Sequence, residues 1–245
     1  MEWTDDGIVL SLRPLGESSS ILECLTRDYG RHAGLIRGGS SRKMGSMLQP
    51  GNTLRVHWRA RLAEHLGSFT VEPHHTRAGA ILETRDALMG VNAFTGVALA
   101  VLPEREPHAT VFEAGEILLD AMAGDTFDHW GPLYVRWEMG VLDALGFGLD
   151  LSRCAATDSS DDLRYVSPKS GRAVSGAAGA PYRGKLFHLP PYLLASQNAE
   201  PTLRDIVAGL KLTAHFLLER VLRPHGRDLP PARLRLTEIA ARESA

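Results

Sequence analysis

Between Arg27 and Arg61 the chain carries eight cations, Arg27, Arg31, Arg37, Arg42, Lys43, Arg55, Arg59 and Arg61, against one acid, Asp28. The whole protein has a formal net charge of −2 and an isoelectric point near 6.6, so this excess of positive charge is local. His32 and His57 add to it as pH falls below neutral. Polar and apolar residues alternate through Thr53-Leu54-Arg55-Val56-His57-Trp58-Arg59-Ala60-Arg61. In a strand, Leu54, Val56, Trp58 and Ala60 take one side and the polar residues the other. Three arginines then repeat at roughly 7 Å along one face. Such a row suits a phosphate backbone, and it also suits a solvated face with no ligand. The loop Arg37-Gly38-Gly39-Ser40-Ser41-Arg42-Lys43 shifts the reading toward a binding surface. The candidate contacts to a polyanion are Arg31, Arg37, Arg42, Lys43, Arg55, Arg59 and Arg61.

Covalent chemistry finds little support. Adjacent residues of an extended segment point apart, so His74-His75 is a poor chelator, and His57 and His65 would join it only by a coincidence of folding. Asp158, Asp161 and Asp162 sit in a polar loop and read as solvated. Gly38-Gly39 has the amides for a phosphate, but no helix follows directly. No HExxH, GxSxG or P-loop pattern is present, and nothing assembles a nucleophile, a base and an orienting group. An enzyme is not expected.

The elements that must carry the cations change character along the chain. Residues 6–13, 20–26, 32–37, 53–61 and 66–72 read as short strands, with Arg27-Asp28-Tyr29-Gly30 as a hairpin turn and Pro73 as the stop of the fifth. Five short strands suit a small barrel, either an OB-fold or an SH3-like barrel. From Arg77 the period lengthens to about 3.6. Helices are expected between Ala80 and Leu102, from Thr110 to Ala123, from Pro132 to Leu145 and from Thr202 to Leu222. A Gly/Ala/Ser-rich segment, 154–184, has no sustained period. The tail from Asp228 alternates over Arg233-Leu234-Arg235-Leu236 and reads as a return strand or a frayed end. The fold class is α+β, a five-stranded barrel followed by a helical domain with a Gly/Ala-rich insertion. The expected divisions are 1–77 and 78–245, with 152–188 as the insertion. Apolar content of 44% and charged content of 23% are those of a soluble globular chain. Without a leader-like or spanning segment, the cytoplasm is the expected location.

The order of several motifs resembles the bacterial DNA repair protein RecO family. They are Gly7-Ile8-Val9-Leu10, Gly16-Glu17-Ser18-Ser19, Leu25-Thr26-Arg27-Asp28-Tyr29-Gly30-Arg31, the 37–43 loop and Leu48-Gln49-Pro50-Gly51. Leu142-Asp143-Ala144-Leu145-Gly146-Phe147 and Tyr165-Val166-Ser167-Pro168-Lys169-Ser170-Gly171 follow the same pattern. The resemblance implies an N-terminal OB-fold, a recombination mediator that binds single- and double-stranded DNA and anneals complementary strands, and a place at the nucleoid. It implies RecR and the acidic, aromatic-ended tail of single-strand binding protein as partners, with RecA loaded indirectly. Arg136, Lys211 and Arg220 are the candidate basic rim for that tail. Tyr29 or Trp58 could stack on bases, although Trp58 shares the apolar face of its strand. Zinc-binding members use four cysteines in two pairs. Here Cys154 stands at the first position, Thr157 where its near partner would be, and no cysteine follows, so neither zinc nor any other cofactor is expected. Two other readings remain: a protein adaptor whose barrel binds an acidic partner, and a hydrolase with a dispersed site.

Overall fold

The computed structural model describes residues 1–38, 42–194 and 200–244, with the side chains of Arg42, Lys43 and Glu243 outside the description. The backbone divides into two compact units, Met1–Thr126 and Phe127–Ala245. No helix among the described residues is long and apolar enough to cross a membrane.

The first unit opens with five strands: β1 (Glu2–Leu15), β2 (Ser19–Thr26), β3 (Gly30–Arg37), β4 (Thr53–Arg59) and β5 (Ser68–His75). They close into a barrel in the order β1-β2-β3-β5-β4, the order of an OB-fold. Closure depends on β1. Its first half, Glu2 to Ile8, pairs with β4, and its second half, Gly7 to Leu15, pairs with β2 across a bulge between Val9 and Ser11. One long strand therefore serves both sides of the seam. The core is Val9, Leu22, Cys24, Ile36, Leu54, Val56, Trp58 and Phe69, with Leu48 packed among them. The alternation in β4 is as expected at Leu54, Val56 and Trp58 against Arg55 and Arg59, but Thr53 is buried as well.

Gly30 ends the β2–β3 turn at φ +69°, and the Glu106 backbone lies so close that any side chain there would collide with it. Gly34 faces the Phe69 ring, where a Cβ would come within 2.6 Å. Pro73, expected as a stop, lies inside β5 opposite Leu54. It is tolerated because β5 meets β3 only at Leu35↔Ser68, so its other side is a free edge. A short helix, α1 (Arg42–Met47), follows the Gly38-Gly39 loop where none was expected, and Met44 and Met47 pack on the core.

The helices α2 (Ala78–Glu83), α3 (Arg85–Val101) and α4 (Ala109–Gly124) complete this unit. Strands give way to helices at residue 77, yet these three helices pack with the barrel: Gly51 lies against Ile81 and Val91, and Gly115 against Ile8. Arg77 fastens the join. It is 3% exposed and reaches Glu116 at 2.9 Å, Thr53 at 2.8 Å, and Asp120.

The second unit holds α5 (Phe127–Ala144), β6 (Leu163–Val166), β7 (Ala173–Ser175), α6 (Gly176–Gly179), β8 (Phe187–His188), α7 (Leu203–Phe216) and α8 (Pro231–Glu243). α7 starts from a capping box of Thr202 and Asp205, continues as a wider turn through Leu217–Leu222, and ends at Gly226 with φ +66°. Residues 152–188, expected as an insertion, contain a three-stranded sheet in the order β7-β6-β8. The tail is a helix, α8, and not the strand or frayed end its sequence suggested. Pro231 starts it, and Arg233, Leu236 and Ala240 are buried at helical spacing. Arg233 is fully buried beside Glu138 of α5, itself 0% exposed. Its Nη2 donates to Glu138 Oε2 at 2.7 Å and to the Leu210 carbonyl at 2.9 Å, and the Thr213 hydroxyl also donates to Glu138.

Arg233→Met strands the Glu138 carboxylate and is expected to cost about 3–5 kcal/mol in urea unfolding, with Arg233→Met/Glu138→Leu recovering most of the loss. In the barrel, burial pushes the His32 imidazole down to about 4, and the Arg105 charge adds to the effect. Below the ordinary histidine pKa the unfolded chain takes up a proton that the folded barrel refuses. His32 therefore subtracts stability as pH falls from about 6.5 toward 4 and has no such effect at neutral pH. Between pH 7 and 4.5, His32→Phe should lose about 2 kcal/mol less than the wild type in urea titrations.

Candidate nucleic-acid interface

β3, β5 and β4 present the sequence-predicted cations, and pairing sets which of them share a surface. Along β3 the odd-numbered residues point outward, with His32, Gly34 and Ile36 buried. Leu35 meets Ser68 of β5, and Ser68 meets Arg59 of β4. Arg37 and Arg59 thus ride on one outer face, two strand spacings apart, roughly 10 Å sideways. Arg61 follows at the start of the β4–β5 loop. All three are exposed, and none has an ion-pair partner among the described residues.

The remaining candidates divide otherwise. Arg31 is pulled inward. It pairs with Glu23, donates to the Leu102 carbonyl at 2.8 Å and lies 3.6 Å from Glu104, with 15% of its side chain exposed. Its guanidinium clamps the segment after α3 to the barrel. Arg55 bonds Asp6 at 3.0 Å, half-exposed, and stands opposite Glu72. Arg27, counted in the basic stretch, is held by Glu113 at 2.7 Å. Arg59 itself stands opposite Glu2 of β1. The outer face of β4 is therefore a row of cations flanked by acids from both neighbouring strands, Glu2 and Asp6 on one side and Glu72 on the other. Sequence spacing could not show this, because the acids come from distant strands. The backbone puts Arg42 and Lys43 at the start of α1; their side chains, and the Gly39-Ser40-Ser41 part of the loop, lie outside the described residues.

At the Trp58 end of β4 the barrel gathers aromatic rings. Tyr29 stacks on Trp3 with centroids 4.2 Å apart and planes 6° from parallel, and Trp3 lies 5.6 Å from Trp58 at 18°. His32 meets both indoles edge-on, at 4.9 and 4.8 Å. Trp58 is 2% exposed and its indole nitrogen donates to the Leu66 carbonyl at 3.0 Å, whereas Tyr29 is 39% exposed. These rings line a cavity of about 430 Å³. Trp3 was not apparent in the sequence; His32, expected there to add positive charge below neutral pH, is instead buried, with its imidazole held down to about 4. Trp3 precedes the first strand as read there, and its signal was the extension of the strand pattern back to Glu2.

In the second unit, Lys211 lines a hollow of about 380 Å³ with Arg204, Phe187 and Val207. Arg136 and Arg220 do not join it. Arg136 donates to the Tyr192 carbonyl at 2.8 Å and lies over that tyrosine's ring, and Arg220 lies 4.7 Å over the Phe216 ring. The Cys154 thiol is buried and accepts the Ser175 amide at 3.2 Å. Thr157 supplies a hydroxyl where a second thiolate would be needed, and no cluster of three or more metal-ligating side chains occurs among the described residues. This donor set does not fit a tetrahedral zinc site. His74 and His75 turn to different acids, Asp6 at 4.0 Å and Asp120 at 3.6 Å.

Comparison with known proteins places this architecture. The family models described as Recombination protein O N terminal and Recombination protein O C terminal match residues 1–77 and 82–228. A DNA repair protein RecO from Cereibacter sphaeroides (strain ATCC 17023) is 50% identical over 244 residues, covering 99% of this chain and 100% of that protein. Proteins of the same name from Rhizobium etli and Methylocella silvestris are 49% and 47% identical, each across 95% of this chain and 90% and 93% of their own length. A barrel of OB order followed by a helical unit, matched in both parts at this level of identity, means that the chain belongs to the RecO family of DNA repair proteins.

Proposed function

We infer that this protein binds single- and double-stranded DNA on the outer face of its barrel and anneals complementary strands, making and breaking no covalent bond. The observation that supports the reading is the trio Arg37, Arg59 and Arg61, exposed and without ion-pair partners among the described residues, on a barrel whose other described cations are mostly paired. Phosphates displace counterions there, so binding weakens steeply with salt. Two strands held against the same cations repel each other less and can pair. Arg55 can exchange Asp6 for a phosphate because the pair is half in water. Arg31 cannot leave Glu23 without opening the fold, and its role is structural. Arg42 and Lys43 stay with the track by their position beside Arg37 in the chain.

The hollow lined by Arg204, Lys211, Phe187 and Val207 suits an acidic peptide with an apolar end, the chemistry of the tail of single-strand binding protein. With RecR as a further partner, the protein would help load RecA onto DNA coated with that protein. The adaptor reading, in which the barrel meets an acidic protein, is separated from this one by the same assay.

Labelled oligonucleotides and a tail peptide test both surfaces. Arg59→Glu/Arg61→Glu should lower single-strand affinity severalfold near 0.1 M salt and flatten the slope of log K against log salt by about 1.4, two contacts at about 0.7 each. Annealing of coated strands should slow with it. Arg204→Glu/Lys211→Glu should lose the peptide and keep the DNA. Unchanged DNA affinity and slope in the first variant would refute the track.

A further inference from the structure

We propose that the aromatic cavity at the Trp58 end of the barrel takes one unstacked nucleobase of single-stranded DNA, read by Trp3, Tyr29, His32 and Trp58. The inference rests on the reading that the barrel binds DNA and gives it a base-dependent component that the arginines alone would lack. Three observations support it. First, Tyr29, Trp3 and Trp58 form a near-parallel stack whose outermost ring, Tyr29, is 39% exposed at a cavity of about 430 Å³, a size usual for pockets that hold a small ring system. A base added to a preformed stack loses little rotamer freedom from the protein side. Second, His32 lines this cavity at 4% exposure, and neither ring nitrogen makes a hydrogen bond of full geometry among the described residues, the Tyr29 backbone being the one polar group close enough to act on the ring. A buried polar group left unpaired is costly, and the edge of a base carries the donors and acceptors that would satisfy it. Third, the charges around the cavity favour a neutral ring over a phosphate. Glu2 and Asp28 bring carboxylates to it. The one guanidinium, Arg105, is bound to the carbonyls of Ala63 at 2.6 Å, Glu64 at 3.2 Å and His65 at 3.0 Å.

The phosphates flanking an inserted base have cations within reach. Arg59 stands opposite Glu2, and Arg61 lies two residues before Ala63, both residues of the cavity wall. The β4–β5 loop, pinned by Arg105, thus joins the base pocket to the phosphate track. OB-folds bind oligonucleotides at this loop. The base would go to the ring stack and the backbone to the arginines, which separates the two contributions by position.

The test compares oligo-dT with an abasic oligomer of the same length, equal in phosphates and lacking bases, by fluorescence anisotropy at one salt concentration. The wild type should bind oligo-dT about tenfold more tightly. Tyr29→Ala, at a half-exposed position where folding is not at risk, should bring oligo-dT down to the abasic level and leave the abasic affinity and salt slope unchanged. Arg59→Glu/Arg61→Glu should weaken both oligomers by the same factor. Equal wild-type affinity for the two oligomers, or a preference that survives Tyr29→Ala, overturns the base pocket while the DNA reading stands. Failure of the wild type to bind either oligomer overturns the DNA reading and the pocket with it.

Discussion

A guanidinium taken out of water must be met by carboxylate and carbonyl oxygens, and that requirement organises both units of this chain. Arg77 ties the end of β5 to α4 through Glu116 and Asp120, with Thr53 of β4 in the same network. Arg31 ties β3 to the segment after α3 through Glu23 and the Leu102 carbonyl. Arg233 ties α8 to α5 and α7 through Glu138 and Leu210. Each joins elements far apart in sequence. The planar fork of donors explains why arginine stands at all three places, since a lysine ammonium could not satisfy several acceptors in one plane.

The same requirement sorts the remaining cations. An arginine that is part of a buried network is unavailable to a ligand, because removing it strands a carboxylate in a dry site. One that faces water and is bonded to an acid can exchange partners at little cost, and one not bonded to an acid is open from the start. On the barrel these three conditions are met by Arg31, by Arg55 with Asp6, and by Arg37, Arg59 and Arg61. The local excess of positive charge in the sequence is therefore not a measure of the positive surface. Of the six of its cations whose side chains are described, three are paired with acids, and of those only the buried Arg31 is committed to the fold.

This sorting marks what the sequence could and could not reveal. The strict alternation of Leu54, Val56 and Trp58 with Arg55 and Arg59 is a property of neighbouring residues, so β4 and its two faces were legible. So were the Gly30 turn and the start of α7 at Thr202, each fixed by a few adjacent residues. The partners of Arg31 and Arg55 come from other strands, and only register brings them near. The tail misled for a local reason: four residues of Arg-Leu alternation imitate a strand, while the helical spacing of Arg233, Leu236 and Ala240 shows only over a longer window. Trp3 is hidden in the sequence because the strand pattern of β1 is plain only from Asp6, four residues after the strand begins.

Barrel closure connects these points to the site. Because β1 pairs with both β2 and β4, its first half lays Glu2 and Asp6 beside the arginines of β4 and its inward residue Trp3 beside Trp58. The strand that completes the barrel thus also tempers the positive face and builds the ring stack. A polyanion meeting this surface finds a narrow strip of open cations bordered by carboxylates. Such a strip favours a thin, flexible chain that can thread its phosphates along the arginines and turn its uncharged parts toward the acids. Single-stranded DNA has that distribution of charge; a duplex, with phosphates on both edges of each groove, has to meet the bordering carboxylates as well. On the proposed reading, a preference of the barrel for single strands over duplex would follow from the register of β1 against β4.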